Sequence, residues 1–245
     1  MVGETGTDPA GVGAEKDEMN KTTIEWCDYT VNPVKGLCPV SCLYCYARRM
    51  YKRFHWDETI RFTNDLWNEA PKIKRPSRIF VGSTMELFGP WIDPEWMRLT
   101  LNAVKAHPQH TFIFLTKRPW ELPKFNPWPG NCWVGASVTV AEQQSRAYLG
   151  LSQADAMVKF ISYEPLLTNV YMEPQFLRDA GINWLIIGQK TPVQKDIPRG
   201  WVNSITNAAE HAHIPVFMKN NLLTAIGTNY EGEYMRVLRQ EWPQS

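Results

Sequence analysis

Between residues 78 and 218 short apolar runs alternate with stretches that suit helices, and few folds accommodate that order. Residues 78–83 (RIFVGS), 111–115 (TFIFL), 133–138, 158–162, 184–188 (WLIIG) and 215–218 read as strands. The 111–115 run is almost wholly apolar, as a strand covered on both faces is. Residues 94–106, 141–151, 174–180 and 202–212 read as the intervening helices; Pro94 suits a first helical position, and Gly181 ends the third. Strands and helices in strict alternation build parallel βαβ units. Six or seven such units fit a barrel better than an open doubly wound sheet, and 245 residues is close to barrel size. The expectation is an α/β fold, a partial or near-complete (β/α)6-7 barrel over residues 21–220. No G-x-G-x-x-G and no Walker A loop follows any strand, so the usual nucleotide fingerprints are absent.

The ends read differently. Residues 1–20 are Gly-rich, mostly acidic and almost without large apolar groups, so they read as a disordered leader. Residues 22–26 (TTIEW) read as a first strand or a strand-like lead-in, and 32–36 (NPVKG) as a turn. Residues 221–245 read as a C-terminal tail packed on the barrel, with an amphipathic stretch at 234–242. No apolar run approaches the ~20 residues of a membrane span, and the N-terminus lacks the layout of a secretory signal. Five cysteines, three of them within eight residues, make a poor disulfide framework, so a cytoplasmic setting is expected. A net charge of +1 gives no global argument for binding nucleic acid or membrane. Eleven tryptophans, many beside proline, serve either as packing groups at element ends or as a stacking surface.

The three close cysteines are Cys38, Cys42 and Cys45, in a C-x3-C-x2-C spacing with Tyr44 before the last. Three thiolates are one fewer than a closed tetrahedral zinc site or an all-cysteine cubane requires. From spacing alone three readings stand: structural zinc with Cys27, His55 or Cys132 as fourth ligand, unrelated buried cysteines, or a cubane with one iron left open. Residues 46–56 lack Pro and Gly and read as a helix. The cysteines thus precede a helix N-terminus, where free N–H groups favour anionic sulfur. Arg48, Arg49, Lys52 and Arg53 make that helix basic, either as a solvated face or as a docking surface for an anionic substrate or an electron-donor protein.

Barrel active sites lie at the C-terminal strand ends. Those ends supply Ser83, Thr84 and Glu86, then Lys117 and Arg118, then Ser137, Glu164, Gln189, Lys190, Lys219 and Asn220. Acids and bases mixed around one mouth suit a zwitterionic ligand.

The cysteine motif in this setting resembles the signature of the radical S-adenosylmethionine (SAM) superfamily. Residues 26–49 (WCDYTVNPVKGLCPVSCLYCYARR), 81–89 (VGSTMELFG), 115–119 (LTKRP), 162–166 (SYEPL) and 216–219 (VFMK) are further similar to the phage-associated three-Cys-motif protein family, which often has a separate partner protein. The resemblance implies a barrel of the radical SAM type. Cys38, Cys42 and Cys45 would ligate a [4Fe–4S] cluster, and SAM, bound at the open iron, would be split reductively to a 5′-deoxyadenosyl radical acting on an unknown substrate. It implies Tyr44 near the adenine, Ser83, Thr84 or Glu86 at the ammonium, Lys117 or Arg118 at the carboxylate, and Ser137 at the ribose. Glu164 joins this cofactor-binding set, and an electron-donor protein is the implied partner. Two departures stand at the substrate end: Gly188-Gln189-Lys190 where the family tends to Gly-Gly-Glu, and Lys219-Asn220-Asn221-Leu222 where it tends to Lys-Gln-Trp-Gly. The rival readings are a nucleic-acid-directed radical enzyme resembling spore photoproduct lyase, motivated by the basic helix and the tryptophans, and a non-catalytic zinc-binding adaptor to a partner protein. Cys132 reads as a buried small apolar residue, and Cys27 as either that or a redox-active thiol.

Overall fold

The computed structural model of the chain describes residues 20–191, 197–223 and 238–244. The expected leader lies outside them apart from its last residue, as do residues 234–237 of the expected amphipathic stretch.

The described elements follow one another as β1 (Asn20–Lys21), β2 (Tyr29–Val31), β3 (Val34–Lys35), α1 (Tyr46–Phe54), β4 (Arg61–Phe62), α2 (Asp65–Glu69), β5 (Arg78–Val81), α3 (Pro94–Lys105), β6 (Thr111–Thr116), β7 (Cys132–Ser137), α4 (Gln144–Ser152), β8 (Val158–Tyr163), α5 (Pro174–Asp179), β9 (Trp184–Ile187), α6 (Arg199–Ala212) and β10 (Val216–Met218). One sheet runs β1-β2-β5-β6-β7-β8-β9-β10; β1 is antiparallel and the other pairings are parallel. The order never reverses. The chain therefore winds in one direction, as in a barrel, without the switch point of a doubly wound sheet. The fold is an α/β partial barrel.

The first strand differs from the sequence expectation. Residues 22–26 turn instead, with Cys27 N–H donating to the Ile24 carbonyl (3.3 Å), and the first parallel strand is β2. Asp28 starts it: its backbone N–H and its carboxylate bond the Arg78 carbonyl and N–H, both at 2.8 Å, which registers β2 against β5. The 32–36 turn also contains β3, which pairs with β4.

Strand side chains alternate between two cores. Ile79, Phe112, Phe114, Val134, Ile161 and Leu185 face the helices. Phe80, Ile113, Trp133, Phe160, Trp184, Ile186 and Phe217 face inward and pack with Trp26. Ring centroids 4.9–6.4 Å apart link Trp26 to Phe80, and Trp184 to Trp26, Trp133, Phe160 and Phe217. Gly135 makes room for this layer, since a Cβ there would lie 2.4 Å from the Phe160 ring. These rings fill the barrel interior below the strand C-termini. Each buries on the order of 150–250 Å².

Two chain ends cross the seam between the first and last strands. Glu25 accepts the Asn220 N–H (2.7 Å). Residues 239–241 bond β10 through Met218 N–H to the Arg239 carbonyl (2.7 Å) and Glu241 N–H to the Val216 carbonyl (3.1 Å). Trp184 Nε1 donates to the Glu241 carbonyl (2.8 Å), and Trp242 packs edge-on against Phe217.

Candidate cofactor site at the barrel mouth

The cysteine loop is held at both ends by α1. Gly36, at its start, has φ +115°, and a Cβ there would lie 2.6 Å from the Thr59 carbonyl oxygen. Only glycine suits that conformation and that close approach. The Gly36 N–H donates to the buried Tyr51 hydroxyl (2.9 Å). Further along, Arg48 Nη2 donates to the Cys38 carbonyl and to Ser41 Oγ, both at 2.7 Å. Cys45 N–H closes a turn onto the Cys42 carbonyl (3.1 Å), and Cys45 is the N-cap of α1, whose first turn carries no acid. Cys38, Cys42 and Cys45 are half-buried, while Leu43 between them is fully exposed. Burial pushes the Cys38 thiol up, opposed by backbone N–H groups of Glu86 and Val40 directed at its sulfur.

All three cysteines line one cavity of ≈ 720 Å³ that opens over the strand ends and is floored by Trp26, Phe80 and Leu115. This lies within the roughly 300–1,000 Å³ of small-molecule sites. Among the described residues its charged lining balances Glu25, Asp65, Glu86 and Glu164 against Lys35, Lys117, Lys190 and Lys219.

Three expected residues converge on one wall. Lys117 Nζ donates to Ser137 Oγ (3.0 Å) and lies 5.7 Å from the centroid of the Tyr44 ring. Burial pushes the Tyr44 phenol up, with the Lys117 ammonium pulling the other way. Ser83 and Thr84 also line the cavity, and Asn32 Oδ1 accepts from Ser83 Oγ (3.3 Å) and from Thr84 N–H (3.0 Å). Thr84 Oγ1 is buried without a hydrogen-bond partner among the described residues.

Glu86 is drawn deeper than the sequence suggested. Its carboxylate accepts from Thr116 Oγ1 (2.7 Å), Lys117 N–H (2.8 Å) and Phe88 N–H (3.1 Å), tying the ends of β5 and β6 together. Burial nonetheless raises its pKa. Glu164 and Lys219 form an ion pair that crosses the bare backbone of Gly188, where a Cβ would lie 3.0 Å from the Lys219 chain. Arg118 is a correction: it does not join the mouth. Its guanidinium bonds the Phe88 carbonyl (3.1 Å) and Glu121 (3.0 Å) and stacks on Trp120. The reason is strand parity, because Ile113, Leu115 and Lys117 point inward and Arg118 therefore points outward.

Several lining residues escaped the sequence reading. Asn32 follows β2 directly, so the rule of strand ends finds it once β2 is correctly placed. Lys35 and Asp65 form a buried ion pair (3.2 Å) in the cavity wall, which no local pattern announces. Gln189 and Asn221, two sites where the family tendency is broken, bond each other across the ends of β9 and β10: Asn221 Oδ1 accepts the Gln189 N–H (3.2 Å) and Asn221 Nδ2 donates to the Gln189 carbonyl (2.9 Å).

Three cysteines on one cavity supply the number of thiolates that a cubane with one open iron takes. Among the described residues no three His, Cys, Asp or Glu side chains close on a single ion position. A cubane places each thiolate on a different iron, so its ligands surround a volume rather than a point. Cys27 and Cys132 are buried elsewhere; burial pushes the Cys27 thiol up to about 12 and raises that of Cys132 as well.

Residues 21–228 match a family model described as protein of unknown function (DUF5131); that description says nothing of phage association or of a partner. No curated protein matches the chain. Among solved structures, the chain is similar to a spore photoproduct lyase mutant with bound AdoMet and dinucleoside spore photoproduct. The TM-score is 0.50 at 11% identity, over 79% of this chain and 64% of that one. The chain thus spans less than two thirds of that protein's length. The likeness is one of fold: the two proteins share an α/β partial barrel. No helix among the described residues is long and apolar enough to cross a membrane.

Proposed function

The chain belongs to the DUF5131 family, and on that premise we propose that it is a radical SAM enzyme holding one [4Fe–4S] cluster on Cys38, Cys42 and Cys45. The observation that carries this reading is the placement of three half-buried cysteines on a cavity at the strand C-termini of a radical SAM-type barrel. When bound, the cluster and SAM supply reductive cleavage of the sulfonium to methionine and a 5′-deoxyadenosyl radical. An electron-donor protein provides the electron.

The chain's own residues hold, orient and keep dry. The α1 N-terminus and the N–H groups of Glu86 and Val40 stabilise negative sulfur. Lys117, braced by Ser137, presents a cation to a carboxylate beside the Tyr44 ring, which offers a stacking face to an adenine. Ser83 and Thr84, on the cavity wall, offer polar groups for the ammonium. Glu86 contributes by fixing Thr116 and Lys117 rather than as the ammonium's direct partner. The aromatic floor excludes water from below.

The balance of acids and lysines among the described residues around the cavity supports a small neutral or zwitterionic substrate over a nucleic-acid strand, whose phosphates call for an excess of cations. Anaerobic reconstitution tests the proposal. The expected result is about four irons and four sulfides per chain with absorption near ~400 nm, and 5′-deoxyadenosine formed from SAM under dithionite. The Cys42→Ala chain should lose both. Zinc without that absorption, or SAM cleavage surviving Cys42→Ala, would overturn it.

A further inference from the structure

We infer that Arg48 is a positioning residue for the cluster, tying the two ends of the cysteine loop together and setting the cluster's reduction potential with a fixed positive charge. The inference rests on the radical SAM reading above. Arg48 stands in the first turn of α1, and its side chain reaches back along the helix to the Cys38 carbonyl and Ser41 Oγ, both at 2.7 Å from Nη2. One side chain thereby links the first cysteine to the helix that begins directly after the third. Ser41 is held at φ +55°, a left-handed conformation that a serine adopts only under restraint, and the bond from Arg48 supplies such a restraint. Arg48, Cys38, Ser41, Cys42 and Cys45 line one small cleft, so Arg48 and all three cysteines share one stretch of surface.

The charge has a separate consequence. Among the described residues both hydrogen-bond acceptors of this guanidinium are neutral, and the first turn of α1 has no acid. No carboxylate among the described residues is bonded to it, so its positive charge stands uncancelled there. One-electron reduction adds negative charge to a cluster on these thiolates, so a nearby cation favours the reduced form. A half-buried setting screens that interaction less than open solvent does.

The test compares Arg48→Lys and Arg48→Gln with the unaltered chain after anaerobic reconstitution, reading iron per chain and the cluster's midpoint in an EPR-monitored redox titration. Arg48→Gln keeps a hydrogen-bond donor and loses the charge; Arg48→Lys keeps the charge. The expected result for Arg48→Gln is a more negative midpoint, with about tenfold less reduced cluster at a fixed solution potential, a shift of about 59 mV for a one-electron couple. Arg48→Lys should restore the midpoint. If Arg48→Gln holds no cluster while Arg48→Lys holds it at the unaltered midpoint, the inference stands equally. A full iron content and unchanged midpoint in Arg48→Gln overturns it, as does equal loss of iron from both variants, because charge then plays no part. Failure of the unaltered chain to assemble a cluster would instead strike the proposed function, which keeps the two failures apart.

Discussion

At the scale of single residues, burial decides what a titratable group can do. His110 is almost wholly buried at the start of β6, with Nε2 3.3 Å from the Ala70 carbonyl oxygen, and burial lowers its pKa. An unfolded histidine takes a proton near pH 6.5. Between that value and the lower folded one, the unfolded chain binds more protons, so stability rises with pH across this window and is lost as pH falls. The expected loss is about 1.4 kcal/mol for each pH unit below ~6.5 until the folded pKa is reached. Urea unfolding at pH 7.5 and 5.5 should show it, and a His110→Gln chain should show a smaller difference. The same scale explains what was readable at the mouth. Lys117, Ser137, Glu164 and Lys219 were found because strand ends carry the polar groups of a barrel. Arg118 leaves the mouth because side chains alternate along β6, and the inward row Ile113, Leu115, Lys117 that excludes it is visible in the sequence. The Lys35–Asp65 pair joins residues thirty positions apart, and only the folded chain reveals it.

At the scale of elements, apolar strands are legible even when short, as the three residues of β10 are, and the less apolar β2 is not. β6 is six residues of nearly unbroken apolar sequence, and its reading was off by one residue. β2 is three residues, YTV, with no periodicity to read, and its position is fixed by Asp28 on a partner strand fifty residues away. The cysteine loop is an element in its own right, specified by the backbone it can adopt. Gly36→Ala places a Cβ on the Thr59 carbonyl at a φ that costs a non-glycine residue about 1–3 kcal/mol. Overpacking adds on the order of 1–3 kcal/mol. Because the strain is local to the loop, the chain should still fold, with a lower Tm by thermal scan and less iron retained after reconstitution. Retention of full iron at an unchanged Tm would show that the loop adapts.

At the scale of the whole molecule, the sequence alternation points to parallel βαβ units and favours a barrel over a doubly wound sheet, and the strand order, which never reverses, decides for the partial barrel. The aromatic interior was harder to foresee: proline-flanked tryptophans drew attention, whereas Trp26, Trp133 and Trp184, which build the floor, have no proline neighbour. Trp184 touches four of the other rings and bonds residue 241. Trp184→Ala should cost about 3–5 kcal/mol, read as a lower urea midpoint, because it empties the centre of that layer and releases the seam. The closed floor also sets a direction of approach: with the rings packed beneath Trp26, Phe80 and Leu115, the cysteines are reached from the side of the strand C-termini.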